Sequence, residues 1–389
     1  MRSSRWLAAA LAVAALAAAV AVLARGGAPL GPERERILAG LSVTEALGGG
    51  ALEGFARAEA PRAFDFPRDH GPHPEFRTEW WYYTGNLHSA DGRAFGFQLT
   101  FFRTALAPRP VERGSAWATT QVYLGHFALT DVRAGRFRAW SRTGREALGL
   151  AGARARPYRV WIDDWIAEGE EPGALPMRLR ASDGDVAIDV GLGSGRAPVL
   201  QGDGGWSRKG SEPGNASYYY SLTRMPARGT IRIAAERVQV EGLAWMDREW
   251  STSALSPGLA GWDWFALQLD DGRDLMLYRL RGKDGTVSPW SAGSLVEPDG
   301  RARALTRDDV AVQVLGTWTS PRSGVTYPAR WRLIRAASGL VLELAPRLAD
   351  QELDVGFRYW EGAVSARGTE QGRAVSGLGY VELVGYEKR

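Results

Sequence analysis

The chain has 389 residues, 45% of them hydrophobic and 24% charged, a soluble globular balance with room for two domains. Its formal charge is +4, and all but three of the 48 cationic side chains are arginine, interleaved with 44 acids and without a long basic cluster, so nucleic-acid binding is not expected. Cysteine is absent, which removes disulfides, thiolate metal sites, a cysteine nucleophile and the acylated cysteine of a lipoprotein.

The N-terminus places Arg2 and Arg5 before an apolar run from Leu7 to Ala24. This predicts an export signal or a single membrane anchor over residues 1–30, with cleavage after Val22-Leu23-Ala24 left open. The positive-inside rule then puts the body in the periplasm or on the outer face of the cytoplasmic membrane. Residues 31–61 read as a linker with one short amphipathic helix inside Arg34 to Leu47.

From residue 62 onward, short alternating segments separated by Gly, Asp-Gly and Pro recur to the C-terminus, which predicts an all-β protein. The first segment, Phe76 to Leu87, carries Glu79 and four consecutive aromatics, Trp80, Trp81, Tyr82 and Tyr83, so bulky rings fall on both faces of a strand. Hairpins turn at Asp91-Gly92 and Ala134-Gly135, and again in the same order at Asp271-Gly272 and Asp299-Gly300. The repetition predicts two tandem antiparallel β-barrels, residues 62–235 and 240–389. A closed barrel of about eight to ten strands leaves room for one small apolar ligand.

The second half opens on Trp245-Met246-Asp247-Arg248-Glu249-Trp250 and Trp262-Asp263-Trp264. Period two puts Trp245, Asp247 and Glu249 on one side of their strand, and Trp262 and Trp264 opposite Asp263 on theirs. His70 and His73 are too few for a metal set, and His126 reads as a lining residue on an apolar strand. No Gly-x-Ser-x-Gly motif occurs, and Gly202 to Gly205 lacks the context of a phosphate loop, so neither a serine nucleophile nor a cofactor is expected.

Phe66 to Leu87 resembles the opening of the AttH-like family, a lipocalin-like group that includes carotenoid 1,2-hydratases (CrtC) and exported proteins called predicted secreted hydrolases. Gly125-His126-Phe127-Ala128-Leu129-Thr130-Asp131 and Trp161-Ile162-Asp163-Asp164-Trp165 resemble its N-terminal half. Asp247-Arg248-Glu249-Trp250, Tyr359-Trp360-Glu361-Gly362 and Gly379-Tyr380-Val381-Glu382-Leu383 resemble its C-terminal half. The resemblance covers about residues 50 to 389. It implies two lipocalin-like barrels and two classes of function: cofactor-free hydration of an isoprenoid double bond, or carriage of a lipid, with an ABC-type exporter as partner.

A hydratase needs a proton donor in an apolar pocket and aromatic faces for the cation, which selects Asp247 and Asp263 as catalytic candidates. Glu79, Trp80, Trp81, Tyr82, His126, Trp245, Arg248, Glu249, Trp250, Trp262 and Trp264 are the candidate ligand-binding residues. The alternative for the acids is ion pairing with Arg248 or neighbouring arginines. Arg248 stands where the family pattern implies His, and an arginine exchanges no proton near neutral pH. That departure, with export, favours an exported binding protein for a lipid, isoprenoid or other apolar molecule, with the hydratase as the alternative.

Overall fold

The computed structural model describes residues 52–109, 114–170, 173–252, 255–256 and 258–387. The apolar run at 7–24 and most of the linker therefore lie outside the described residues. Those described form strands, joined by turns and one short 3-10 turn, Arg68–His70.

Two antiparallel sheets curl into nearly closed barrels with one shared topology. In the first, a meander of Thr78–His88, Ala94–Ala105, Gln121–Asp131 and Arg136–Arg145 forms one wall. The other wall starts with Glu236–Ser251, which pairs with Thr78–His88 from Thr78 opposite Ser251 to His88 opposite Glu241. It continues through Ala216–Ile233 and Val186–Leu192. The second sheet repeats the plan, with the meander Leu259–Leu269, Asp274–Gly282, Ala292–Val296 and Ala302–Thr306 joined by the last strand, Arg373–Val384, then by Arg358–Glu370. The repeated hairpin order in the sequence is this repeated meander.

The boundary expected at residues 236–239 is displaced. Glu236–Ser251 completes the first barrel by pairing with its first strand, so the junction falls after Ser251. Local sequence could not show this, because the pairing joins segments more than 150 residues apart.

Each barrel is filled by its own side chains. Trp81, Tyr83, Phe97, Leu99, Phe101 and Phe127 lead the first core, and Phe265, Leu267, Trp331, Leu342 and Trp360 the second. A third cluster lies in the seam where the barrels meet, with Tyr82, Tyr219 and Trp245 from one side and Trp264, Met276, Tyr278 and Tyr380 from the other. Thr78–His88 is therefore buried on both faces, one in the barrel and one in the seam, which explains its unbroken run of aromatics.

Hydrogen bonds pin the seam. Asn86 Nδ2 donates to the Gly379 carbonyl (3.1 Å), and Gln268 Nε2 donates to the carbonyls of Thr223 (2.7 Å) and Ala244 (3.0 Å). Arg196 and Arg224 of the first barrel both pair with the buried Asp274 of the second, at 2.7 Å each. Gly96 permits the approach: a Cβ there would stand 2.7 Å from both the Ala363 Cβ and the Tyr380 hydroxyl.

Candidate functional site

A cavity of about 100 Å³ opens in the seam, not inside either barrel where a ligand was expected. The first barrel contributes Trp80, Tyr82, Phe102, Lys209, Tyr219, Asp247 and Glu249. The second contributes Trp262, Trp264, Tyr278, Leu280, Phe357 and Glu382. The walls are mostly aromatic, and three carboxyls, Asp247, Glu249 and Glu382, converge on the cavity with the Lys209 ammonium.

Asp247 Oδ1 accepts from Ser221 Oγ (2.6 Å) and Trp245 Nε1 (2.7 Å), and its Oδ2 accepts from the Tyr219 hydroxyl (2.5 Å). Burial outweighs these three donors and pushes the carboxyl up to about 6. Glu382, enclosed by protein yet open to the cavity, accepts from Trp262 Nε1 (2.9 Å). Burial, reinforced by the charges of Asp247 and Glu249, pushes it up to about 7. Glu249 pairs with Lys209 Nζ at 3.2 Å, and that ammonium lies 4.1 Å from the Tyr278 ring centre. Burial opposes the Lys209 charge, but Glu249, Tyr278 and Asp247 outweigh it, so the amine is held protonated.

A second layer stands behind this one. Tyr82 lines the cavity and donates to Glu361, whose own carboxyl is pushed well above its usual range by burial and by Glu382. Tyr359 bonds His126 Nδ1 at 2.8 Å, and burial lowers that imidazole to about 3, leaving it neutral.

A separate polar network lies inside the first barrel. Glu79 is clamped between Arg103 and Arg248, and both its oxygens accept from the His73 backbone N–H at 3.1 Å. Burial opposes ionisation there, but the two guanidinium groups overcome it and hold the carboxyl far below its usual range. Arg248 lies over the Trp81 ring at 4.0 Å, and the His73 ring stacks on Trp250 at 3.8 Å.

The sequence model of the AttH-like family matches residues 57–386. The chain belongs to the AttH-like family. A crystal structure of a putative AttH from Nitrosomonas europaea is 37% identical and superimposes with a TM-score of 0.75, over 86% of this chain and 100% of that one. The structure of kievitone hydratase from Nectria haematococca shares the fold at 16% identity, with a TM-score of 0.65 over 85% and 95% of the two chains. In sequence, a kievitone hydratase from Fusarium solani subsp. phaseoli is 25% identical over 226 residues, or 54% of this chain and 59% of that relative's length.

Within this AttH-like chain the expected site residues divide between two places. Trp80, Tyr82, Asp247, Glu249, Trp262 and Trp264 line the cavity, and Trp245 and His126 support it from behind. Glu79, Trp81, Arg248 and Trp250 belong instead to the interior of the first barrel, because they alternate with the cavity residues on the same two strands. Asp263 also turns away, pairing with Arg281 at 2.8 Å and accepting from the Tyr386 hydroxyl at 2.8 Å. It is the ion-paired acid that the alternative reading described. Glu382, Glu361, Lys209 and Tyr278 were not anticipated. Period two already put Tyr380 and Glu382 on one face, but nothing local marks which face meets the other barrel.

Proposed function

We propose that this AttH-like protein is a cofactor-independent hydratase, adding water to a carbon–carbon double bond of an apolar, isoprenoid-type molecule held in the seam. The observation that carries this reading is the pair of carboxyls, Asp247 at about 6 and Glu382 at about 7, facing one aromatic cavity from opposite barrels. Both carboxyls are raised by burial and the Asp247 charge raises Glu382 further, so near neutral pH the pair holds a proton that one member can give while the other accepts, which acid–base addition needs.

In this scheme the Glu382 proton goes to one alkene carbon, and the cation left on the other is stabilised by the faces of Trp80, Trp264 and Tyr278. Water attacks that carbon and gives its proton to Asp247, so the product gains one H₂O and a proton passes from Glu382 to Asp247. Solvent exchange then resets both. The hydratase relatives support the reaction class, and Arg248 no longer argues against it, since that side chain faces the other side of its strand.

The rate should peak between about pH 6 and 7 and fall on both sides. Asp247→Asn and Glu382→Gln should each lower kcat at least 100-fold on an isoprenoid alkene while binding changes little. Full turnover in both variants would end the proposal. One observation favours the carrier reading instead: Asp247 is already bonded to three donors, as a purely structural carboxyl would be. Binding of a lipid or isoprenoid without turnover in the parent protein would establish that reading, and an ABC-type partner belongs with it. Export through Leu7 to Ala24 is part of either version. Alkaline phosphatase fused after residue 30 should be active outside the cytoplasm, and an inactive fusion rejects export.

A further inference from the structure

Large apolar side chains exposed one at a time are ordinary on a soluble surface, whereas a group of them at one place marks a contact. Seven are exposed among the described residues, and four of the seven fall on two loops. Leu106 (63% exposed) and Trp117 (53%) lie between Ala94–Ala105 and Gln121–Asp131, and Leu148 (59%) and Leu150 (43%) follow Arg136–Arg145. The other three sit singly in strands elsewhere.

The two loops leave the same end of the first barrel. Leu106 N–H donates to the Thr120 carbonyl (2.7 Å), closing the base of one loop, and Glu146 N–H donates to the adjoining Gln121 carbonyl (3.1 Å), tying the second to the first. Trp161 Nε1 holds the second loop by bonding the Gly149 carbonyl at 2.9 Å. Nothing within the described fold covers these tips.

The polypeptide enters the fold at this same end. Gly54 lies against Pro108, so closely that a Cβ would stand 2.9 Å from the proline ring, and Ala56 N–H bonds the Glu75 carbonyl at 2.9 Å. Only twenty-nine residues separate Gly54 from Ala24, the last residue of the apolar run. A segment apolar enough to enter a bilayer is thus tethered to the end of the barrel that presents the apolar loops.

We propose that this end of the first barrel docks on a lipid bilayer, with Trp117 and Leu106 from one loop and Leu148 and Leu150 from the other entering the headgroup region. Tryptophan is the side chain best suited to that depth, having an apolar body and one N–H for the wet side. The exposed charges nearby are mixed, Arg109 and Arg145 with Glu146, so apolar insertion and not charge attraction drives the contact. The docked face is remote in sequence from the carboxyls of the seam, and the inference stands whether the seam catalyses or only binds.

The absence of cysteine makes the test clean, because one introduced cysteine gives one label. The full chain carrying Trp117→Cys or Leu148→Cys is labelled with a nitroxide and reconstituted in phosphatidylcholine vesicles containing a minority of phosphatidylglycerol. Asp308→Cys, exposed in the second barrel, is the control. Collisions with oxygen, relative to a water-soluble nickel chelate, should be several-fold more frequent at 117 and 148 than at 308. Equal ratios at all three positions would overturn the docking while leaving the anchor intact. A chain that does not float with the vesicles would remove anchor and docking together. Neither result touches the hydratase reading, which is judged by turnover.

Discussion

Asp247 shows how a buried carboxyl can be kept in a fold at the expense of stability. Its folded pKa, about 6, lies above the ordinary aspartate value of 3.8, so between these values the folded state binds more protons than the unfolded one. Stability therefore falls as pH rises through that window, and above about pH 6 the whole penalty is present. With roughly 1.4 kcal/mol per pKa unit, it amounts to about 3 kcal/mol as an upper figure. Asp247→Asn should unfold at higher denaturant than the parent at pH 8, with the advantage shrinking to nothing near pH 4. Parallel unfolding curves at both pH values would contradict the burial that the seam implies. A pattern reader could see that Asp247 shares a face with Trp245 and Glu249, since period two is a property of any strand. What the same reader could not see is that Asp263, equally flanked by tryptophans, points into its own barrel to meet Arg281.

At the scale of an element, Thr78–His88 and Glu236–Ser251 act as a wall with two working faces. The inner face carries Glu79 and Arg248, met there by Arg103 of Ala94–Ala105, and the outer face lines the cavity. Removing the charge of Glu79 would strand two buried guanidinium groups without a counter-ion. Glu79→Gln should thus cost about 3–5 kcal/mol of stability, measured by denaturant unfolding at pH 7. A loss below about 1 kcal/mol would mean that the arginines find other partners. The aromatic run in Thr78–His88 made the strand legible, and its doubled burial made the faces illegible. With rings on both sides, no alternation distinguishes barrel interior from seam. The same ambiguity hid Glu382, whose strand alternates plainly but whose partner surface comes from another barrel.

For the whole molecule, the tandem repeat was readable as a sequence of turns, while the junction was not, because closure of the first barrel joins its first strand to its last. The site requires both barrels, since Asp247 and Glu382 come from opposite sides of the seam. Its shape then depends on how closely they approach, and Gly96 sets that distance against Ala363 and Tyr380. Gly96→Val should cost about 1–3 kcal/mol of stability and weaken binding of an apolar fluorescent probe in the seam. Unchanged affinity would show that the barrels tolerate separation.

The two-faced wall also bears on how such a protein can diversify. On one strand, Trp245, Asp247 and Glu249 look outward while Arg248 and Trp250 look inward, and the peptide backbone separates the two sets. A gene in which the outward positions are randomised should still yield folded barrels, many with altered ligand preference, whereas randomising the inward positions should mostly yield insoluble chains. Novelty in ligand choice can then accumulate on one side of a strand without passing through an unfolded ancestor.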